Sequence, residues 1–248
     1  MSLWVMADTH LSFSPGVSSS GVCVSKPMDR FGGRWTNHAE KIARRWSAVV
    51  EAGDTVVIPG DISWAGKLEE AEADLRFLAS LPGRKLLGKG NHDYWWTSLS
   101  RMRRFLEERG IGGIDFLYNN AFCVEGRVLA GSRGWFLEEH QQTAFDTDYA
   151  KLVNRECERL ELSLTAADKL RDEHGIDAPA LVFLHFPPVW GDFRVDELLD
   201  VMLRHGVREC WYGHIHGQYE EPPHFEYRGI RFTNAAADYL DFLPRKIV

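Results

Sequence analysis

The sequence predicts an α/β fold, and three observations predict it. Over 248 residues the composition is 44% apolar and 26% charged, enough for a full core. Short β-branched or aliphatic runs recur along the chain, and helix-period segments alternate with several of them. In order, the runs are Leu3 to Ala7, Thr55 to Pro59, Lys85 to Gly88, Val128 to Ala130, Leu181 to Leu184 and Val207 to Tyr212. Between the second and third, Glu69 to Leu81 places apolar residues at Ala71, Leu75 and Leu78 and stops before Pro82-Gly83, which predicts an amphipathic helix. From Ala144 to Glu173, the residues Tyr149, Leu152, Val153, Cys157, Leu160, Leu164, Ala167 and Leu170 recur at helical spacing and predict one long surface helix or two shorter ones. His224 to Phe232 offers two aromatic-rich strands around Arg228-Gly229, a hairpin. The Ser-, Gly- and Pro-rich stretch from Leu11 to Arg34 reads as a long loop, of the kind that tends to be functional. There is no repeat, low-complexity tract or domain boundary, so residues 1–248 are expected to form a single domain.

Charge and cysteine usage narrow the class. With 29 Lys+Arg against 36 Asp+Glu, the net charge of −7 disfavours nucleic acid as the main partner. No apolar run approaches the roughly 20 residues of a membrane-spanning helix, so no membrane association and a cytoplasmic location are expected. Cys23, Cys123, Cys157 and Cys210 form no CxxC pair, which argues against a zinc knuckle and a disulfide framework and leaves buried free thiols.

Five segments place metal-competent side chains at or just after an expected strand: Asp8-Thr9-His10, Gly60-Asp61, Gly90-Asn91-His92-Asp93, His185, and Gly213-His214-Ile215-His216. Strand ends in open α/β sheets line one edge, where residues remote in sequence converge. Residues i and i+2 of a strand share a face, so Asp8 with His10, and His214 with His216, can each offer a pair of ligands to one pocket. The glycines at 60, 90 and 213 permit the backbone turns that would aim them. Singly, each segment has an ordinary reading as a turn or a satisfied histidine. All five in this order point to a metal site.

The order DTH, GD, GNHD, H and GHIH, running from residue 6 to about 217, resembles the calcineurin-like metallophosphoesterase superfamily. The stretches KPMDRFGGRW, PGDISWAGKLEEA, KGNHDYWW, AGSRGW and ADYLDF are similar to a bacterial branch of predicted phosphohydrolases. The resemblance implies two facing mixed β-sheets flanked by helices, a four-layer α-β-β-α sandwich. It also implies two divalent metal ions, one held by Asp8, His10, Asp61 and His216 and the other by Asp61, Asn91, His185 and His214, with Asp61 bridging. His92 would stay off the metals, contact the phosphate and protonate the leaving group. The implied activity is hydrolysis of a small phosphomonoester or phosphodiester by a metal-bridging hydroxide.

Elementary chemistry agrees with those roles. Imidazole, carboxylate and amide ligands without thiolate suit Mn, Fe, Zn, Co or Ni. Two such ions roughly 3.5 to 4 Å apart can share a hydroxide, lower its pKa and clamp an in-line displacement at phosphorus. Two divalent ions bring +4 while Asp8 and Asp61 return −2, so the site attracts an anion despite the net −7. Without metal, the same two carboxylates should show raised proton affinity. An imidazole titrates in the range a general acid needs. Asp93 adjoins His92, but neighbours on an extended segment point opposite ways, so a structural carboxylate is expected there.

Protein serine/threonine phosphatases of the superfamily carry GDxxDRG where this chain reads GDISWAG, which argues against a protein phosphatase. Trp64, Tyr94, Trp95, Trp96, Trp135 and Trp190 lie near the metal segments. Most are expected to be packing residues, with Trp135 and Trp190 open as groups that stack on a substrate. For a phosphate-binding cation, Arg133 in the SRGW loop stands first, then Arg30 and Arg34. Two alternatives to the hydrolase stand: a nuclease on the same metals, and a non-catalytic scaffold.

Overall fold

The structure, a computed structural model, describes residues 1–13, 28–135 and 149–247. Its first sheet is built by β1 (Leu3–Val5), β2 (Thr55–Ile58), β3 (Arg84–Leu87) and β4 (Ile114–Phe116), all parallel. Three helices follow or link these strands: α1 (His38–Ser47), α2 (Glu72–Ser80) and α3 (Leu99–Glu108). The second half opens with the hairpin of β5 (Asn120–Val124) and β6 (Arg127–Ser132), followed by α4 (Tyr149–His174) and β7 (Leu181–Leu184). A two-stranded hairpin, β8 (Val189–Trp190) with β9 (Phe193–Arg194), precedes α5 (Asp196–Arg204) and β10 (Glu209–Tyr212). The chain then forms β11 (His224–Tyr227), β12 (Ile230–Asn234) and β13 (Arg245–Lys246).

Strand order is β13-β1-β2-β3-β4 in one sheet and β11-β12-β10-β7-β6-β5 in the other. In the second sheet β12, β10, β7 and β6 run parallel, and antiparallel hairpin partners close both edges. The last strand of the chain, β13, pairs antiparallel with the first, β1.

The strands alternate between two cores, and this makes the sandwich. Leu3, Val5, Val57, Leu86, Leu129, Leu181, Phe183 and Trp211 meet in a cluster made of strand and loop residues, the layer between the sheets. Their sequence neighbours face outward: Met6, Val56, Ile58 and Leu87 pack with Ile42, Trp46, Leu75, Leu78 and Met102 of the first three helices. On the far side Val128, Val182, Leu184 and Tyr212 pack with Val153, Leu160, Leu164, Leu198 and Met202 of α4 and α5. A strand covered on both faces has no polar side to present, which is why these runs read as continuous aliphatic stretches. The result is the four-layer α-β-β-α arrangement of two mixed sheets flanked by helices.

The expected helix at 69–81 spans Glu72–Ser80, and that at 144–173 is one helix, Tyr149–His174; residues 144–148 lie outside the described residues. The hairpin around Arg228-Gly229 pairs Tyr227 with Ile230. The 11–34 segment departs from a plain loop: its described part contains one-turn 3-10 helices at Met28–Phe31 and Gly33–Trp35. Cys123 is exposed, contrary to the expectation of buried thiols, while Cys157 is half-buried and Cys210 buried; Cys23 lies outside the described residues. Among the described residues no helix is long and apolar enough to cross a membrane.

Candidate metal centre

The carboxyl ends of β1, β2, β3, β7, β10 and β12 open onto one edge, and the chemistry-bearing residues come directly after them. Asp8 and His10 follow β1, Asp61 follows β2, Asn91 and His92 follow β3, His185 follows β7, and His214 and His216 follow β10. The mechanism that aims them differs from strand alternation. Asp8, His10, Asp61 and His214 all have left-handed backbone, with φ of 58°, 42°, 51° and 70°, and lie past the ends of their strands. Such conformations are costly for residues with a Cβ and persist where the surroundings over-determine them.

The surroundings do so through backbone hydrogen bonds. Asp8 N–H donates to Gly60 O at 3.0 Å and His10 N–H to Asp61 O at 2.9 Å, which ties the β1 and β2 loops together. Of the three glycines flagged in the sequence, only Gly60 has positive φ, at 98°. Gly90 is needed for a different reason: a Cβ there would sit 2.0 Å from Asp61 Oδ1.

The side chains converge. His10 Nε2 is 3.6 Å from Asp61 Oδ2 and 3.3 Å from His216 Nε2, which in turn is 3.6 Å from Asp8 Oδ1. On the other flank, His185 Nε2 is 2.6 Å from Asn91 Oδ1 and 3.5 Å from Asp61 Oδ1, while its Nδ1 is 3.7 Å from Asp8 Oδ1. Two groups of potential ligand atoms result, Asp8 with His10 and His216, and Asp8 with Asp61 and His185. Asp8 thus touches both flanks. The His214 ring packs against the rings of His185 and Phe186, 5.2 and 4.6 Å between centroids, and its backbone N–H donates to Asp8 Oδ2 at 3.0 Å.

This donor set fits divalent cations. Burial holds the His185 imidazole well below its ordinary pKa, so it is neutral and carries one N–H. That single hydrogen cannot serve both Pro59 O, 3.2 Å from Nδ1, and Asn91 Oδ1, 2.6 Å from Nε2. With Nδ1–H donated to Pro59 O, as in metal-bound histidines, Nε2 keeps its lone pair for a cation or for an Asn91 amide N–H. At His216, Nδ1 lies 2.7 Å from Asp238 Oδ1, again leaving Nε2 for the site.

Electrostatics point the same way. Burial raises Asp8 to about 7 even though His216 pulls it down. Burial, then Asp8 and Asp93, push Asp61 well above the carboxylate range. Burial lowers His10 strongly and His214 to about 3. At His216 burial acts downward, but Asp8 and Asp238 overcome it and raise the imidazole. Two buried carboxylates beside the lowered imidazoles of His10, His185 and His214 form a site short of positive charge, with His216 the imidazole that is raised.

His92 stands at the rim, a third exposed, with Nε2 3.9 Å from Asp61 Oδ2. Its backbone N–H donates to Asp61 Oδ1 at 2.8 Å, and its ring lies 4.2 Å from that of Trp64. Asp93 points away from the ligands and binds the framework: it accepts from Ile62 N, Ser63 N, Gly90 N and Trp95 Nε1 at 2.8 to 3.2 Å.

The structure adds residues to which sequence reasoning gave no role. Asp238, after β12, accepts from His216 Nδ1, Gly217 N and Tyr219 Oη. Its signal was the closing ADYLDF stretch. Trp35 is buried edge-on to the rings of His10 and His216, and His38 Nε2 meets His10 O at 3.2 Å. The residues held open fare differently. Trp135 is buried beside Phe186, and Trp190 packs on Tyr212 within the second outer core. The Arg133 guanidinium lies 3.5 Å from the buried Glu156 and over the rings of Trp135 and Phe186. Arg30 is exposed, and Arg34 donates to Asp238 O at 2.9 Å and lies over Tyr219.

The model of the calcineurin-like phosphoesterase family matches residues 1–218. No curated protein sequence matches the chain. Among solved structures, a protein of unknown function from Aquifex aeolicus is similar, at 17% identity and a TM-score of 0.46, over 99% of this chain and 95% of that one.

Proposed function

Because the chain belongs to the calcineurin-like phosphoesterase family, we propose that it is a cytoplasmic, dinuclear metal-dependent hydrolase of a small phosphomonoester or phosphodiester. The observation that carries this reading is the convergence of Asp8, His10, Asp61, Asn91, His185 and His216, with the Nδ1 atoms of two histidines already engaged by Pro59 O and Asp238.

Asp8, His10, Asp61 and His216 would hold one ion, and Asp61, Asn91, His185 and His214 the other. When bound, two divalent ions would supply Lewis acidity at the phosphoryl oxygens and make water acidic enough to attack near neutral pH. The remaining work belongs to the chain. Asp238 fixes the His216 tautomer, and the Pro59 carbonyl does the same for His185. His92 holds a proton at the rim and delivers it to the leaving oxygen, while Trp64 beside it limits its motion and excludes water.

The test is metal content by elemental analysis on protein purified without added metal, paired with hydrolysis of an aryl phosphate and its diester across Mn, Fe, Co, Ni and Zn. About two metals per chain with turnover supports the hydrolase. No bound metal and no turnover under any ion favours a scaffold, and preferential cleavage of oligonucleotides favours a nuclease.

A further inference from the structure

A general acid determines which part of a substrate fills the space before it, since the oxygen it protonates carries the leaving group. His92 lines a cavity of about 220 Å³ that also touches His10 and His216. Met28, Phe31, Trp35, Trp64 and Tyr219 form its apolar and aromatic walls, with Gly217 and Asp238 completing the lining. Phe31 is a wall of this cavity and is 66% exposed. Trp64 is parallel to the His10 ring at 5.0 Å, and its Nε1–H points to Met28 Sδ at 3.2 Å, so its polar edge is turned to a soft sulfur.

Several polar atoms on these walls are engaged within the protein. Tyr219 Oη donates to Asp238 at 2.9 Å, and the same carboxylate accepts from Gly217 N and His216. The nearby Arg34 guanidinium donates one N–H to Asp238 O and lies over the Tyr219 face, 3.9 Å from the ring centroid. A flat hydrocarbon entering this space would bury apolar surface against aromatic side chains.

The geometry points to a leaving-group pocket: the substrate is a phosphoester of an alcohol or phenol that carries a flat apolar group, seated between Phe31, Trp64 and Tyr219. This inference rests on the reading of His92 as the proton donor of a phosphoesterase.

The test compares 2-phenylethyl phosphate with ethyl phosphate, whose leaving alcohols are of similar acidity, on the Mn-loaded protein and its Phe31→Ser variant. Calorimetric titration with the non-hydrolysable 2-phenylethylphosphonate and ethylphosphonate gives a binding readout on the same proteins. The phenyl compound is expected to be preferred about tenfold or more in kcat/KM and in affinity, as burial of one ring face predicts. Phe31→Ser should cut both preferences at least threefold. Turnover of both esters with a ratio near one, or a ratio unmoved by Phe31→Ser, overturns the pocket and leaves the hydrolase standing. A tenfold binding preference that Phe31→Ser reduces, with neither ester turned over, keeps the pocket and overturns the reaction. Equal binding and no turnover overturns both.

Discussion

Asp61 stands where both flanks of the cluster meet, with one oxygen 3.5 Å from His185 Nε2 and the other 3.6 Å from His10 Nε2. Asp61→Asn removes half of the carboxylate charge in the site, so metal binding and turnover should be lost together in elemental analysis and phosphatase assays. His92 is different in kind, because its ring is outside both groups of potential ligand atoms although its backbone N–H donates to Asp61. His92→Ala should retain the metals but lose about 10²- to 10⁴-fold in kcat, most for alkyl esters whose leaving groups need a proton. Full activity towards alkyl phosphates would sink the proton-donor role. Asp238 acts through His216, so Asp238→Asn should weaken metal affinity by about 10- to 100-fold in a metal-buffered titration while the fold survives. Its role was not legible in the sequence, since it lies 22 residues beyond His216, on the loop after a strand that only the second sheet brings alongside β10.

At the scale of elements, the helical character of α4 was legible from its sustained period, which left one helix or two open; the structure forms one of 26 residues. The shorter helices α1, α3 and α5 drew no expectation, although each is amphipathic and covers a sheet face: with 9 or 10 residues each offers only two to three turns of pattern. What α4 does besides covering the sheet was also hidden. Its Glu156 is fully buried and faces Arg159 at 2.5 Å and Arg133 at 3.5 Å, which draws Arg133 into the framework. Glu156→Ala leaves the partly exposed Arg133 and Arg159 without their buried partner and should destabilise the fold by about 1–3 kcal/mol, read as a lower urea midpoint. A midpoint unchanged by the substitution would show that Arg133 and Arg159 find solvent without it.

For the whole molecule, the cost of the site appears as a dependence of stability on pH. Burial raises Asp8 to about 7 from an ordinary carboxylate value near 4, and Asp61 moves in the same direction. The folded, metal-free protein therefore binds these protons more tightly than the unfolded chain. The stabilisation they contribute is complete below about pH 4 and is lost as pH rises through about 7. The melting temperature of metal-free protein should fall across that window more steeply than that of Asp8→Asn, in calorimetry at constant ionic strength. Adding Mn at neutral pH should restore it, because cations bind the deprotonated folded form. Parallel pH curves for the two proteins would refute the assignment.

The sequence by itself determined the residue types and their order, because ligand chemistry admits few side chains and strands buried on both faces must be written as aliphatic runs. Asp8, His10, Asp61, Asn91, His92, His185, His214 and His216 could therefore be named before any contact was known. Tertiary structure decided how they are aimed and what surrounds them. Left-handed turns at Asp8, His10, Asp61 and His214, the anchoring of His216 by Asp238, and the cavity before His92 all arise from loops on different strands packing together. Local sequence carries backbone preference and side-chain chemistry, but a contact between loops about 200 residues apart, such as Asp8 with His214, exists only once both sheets are stacked.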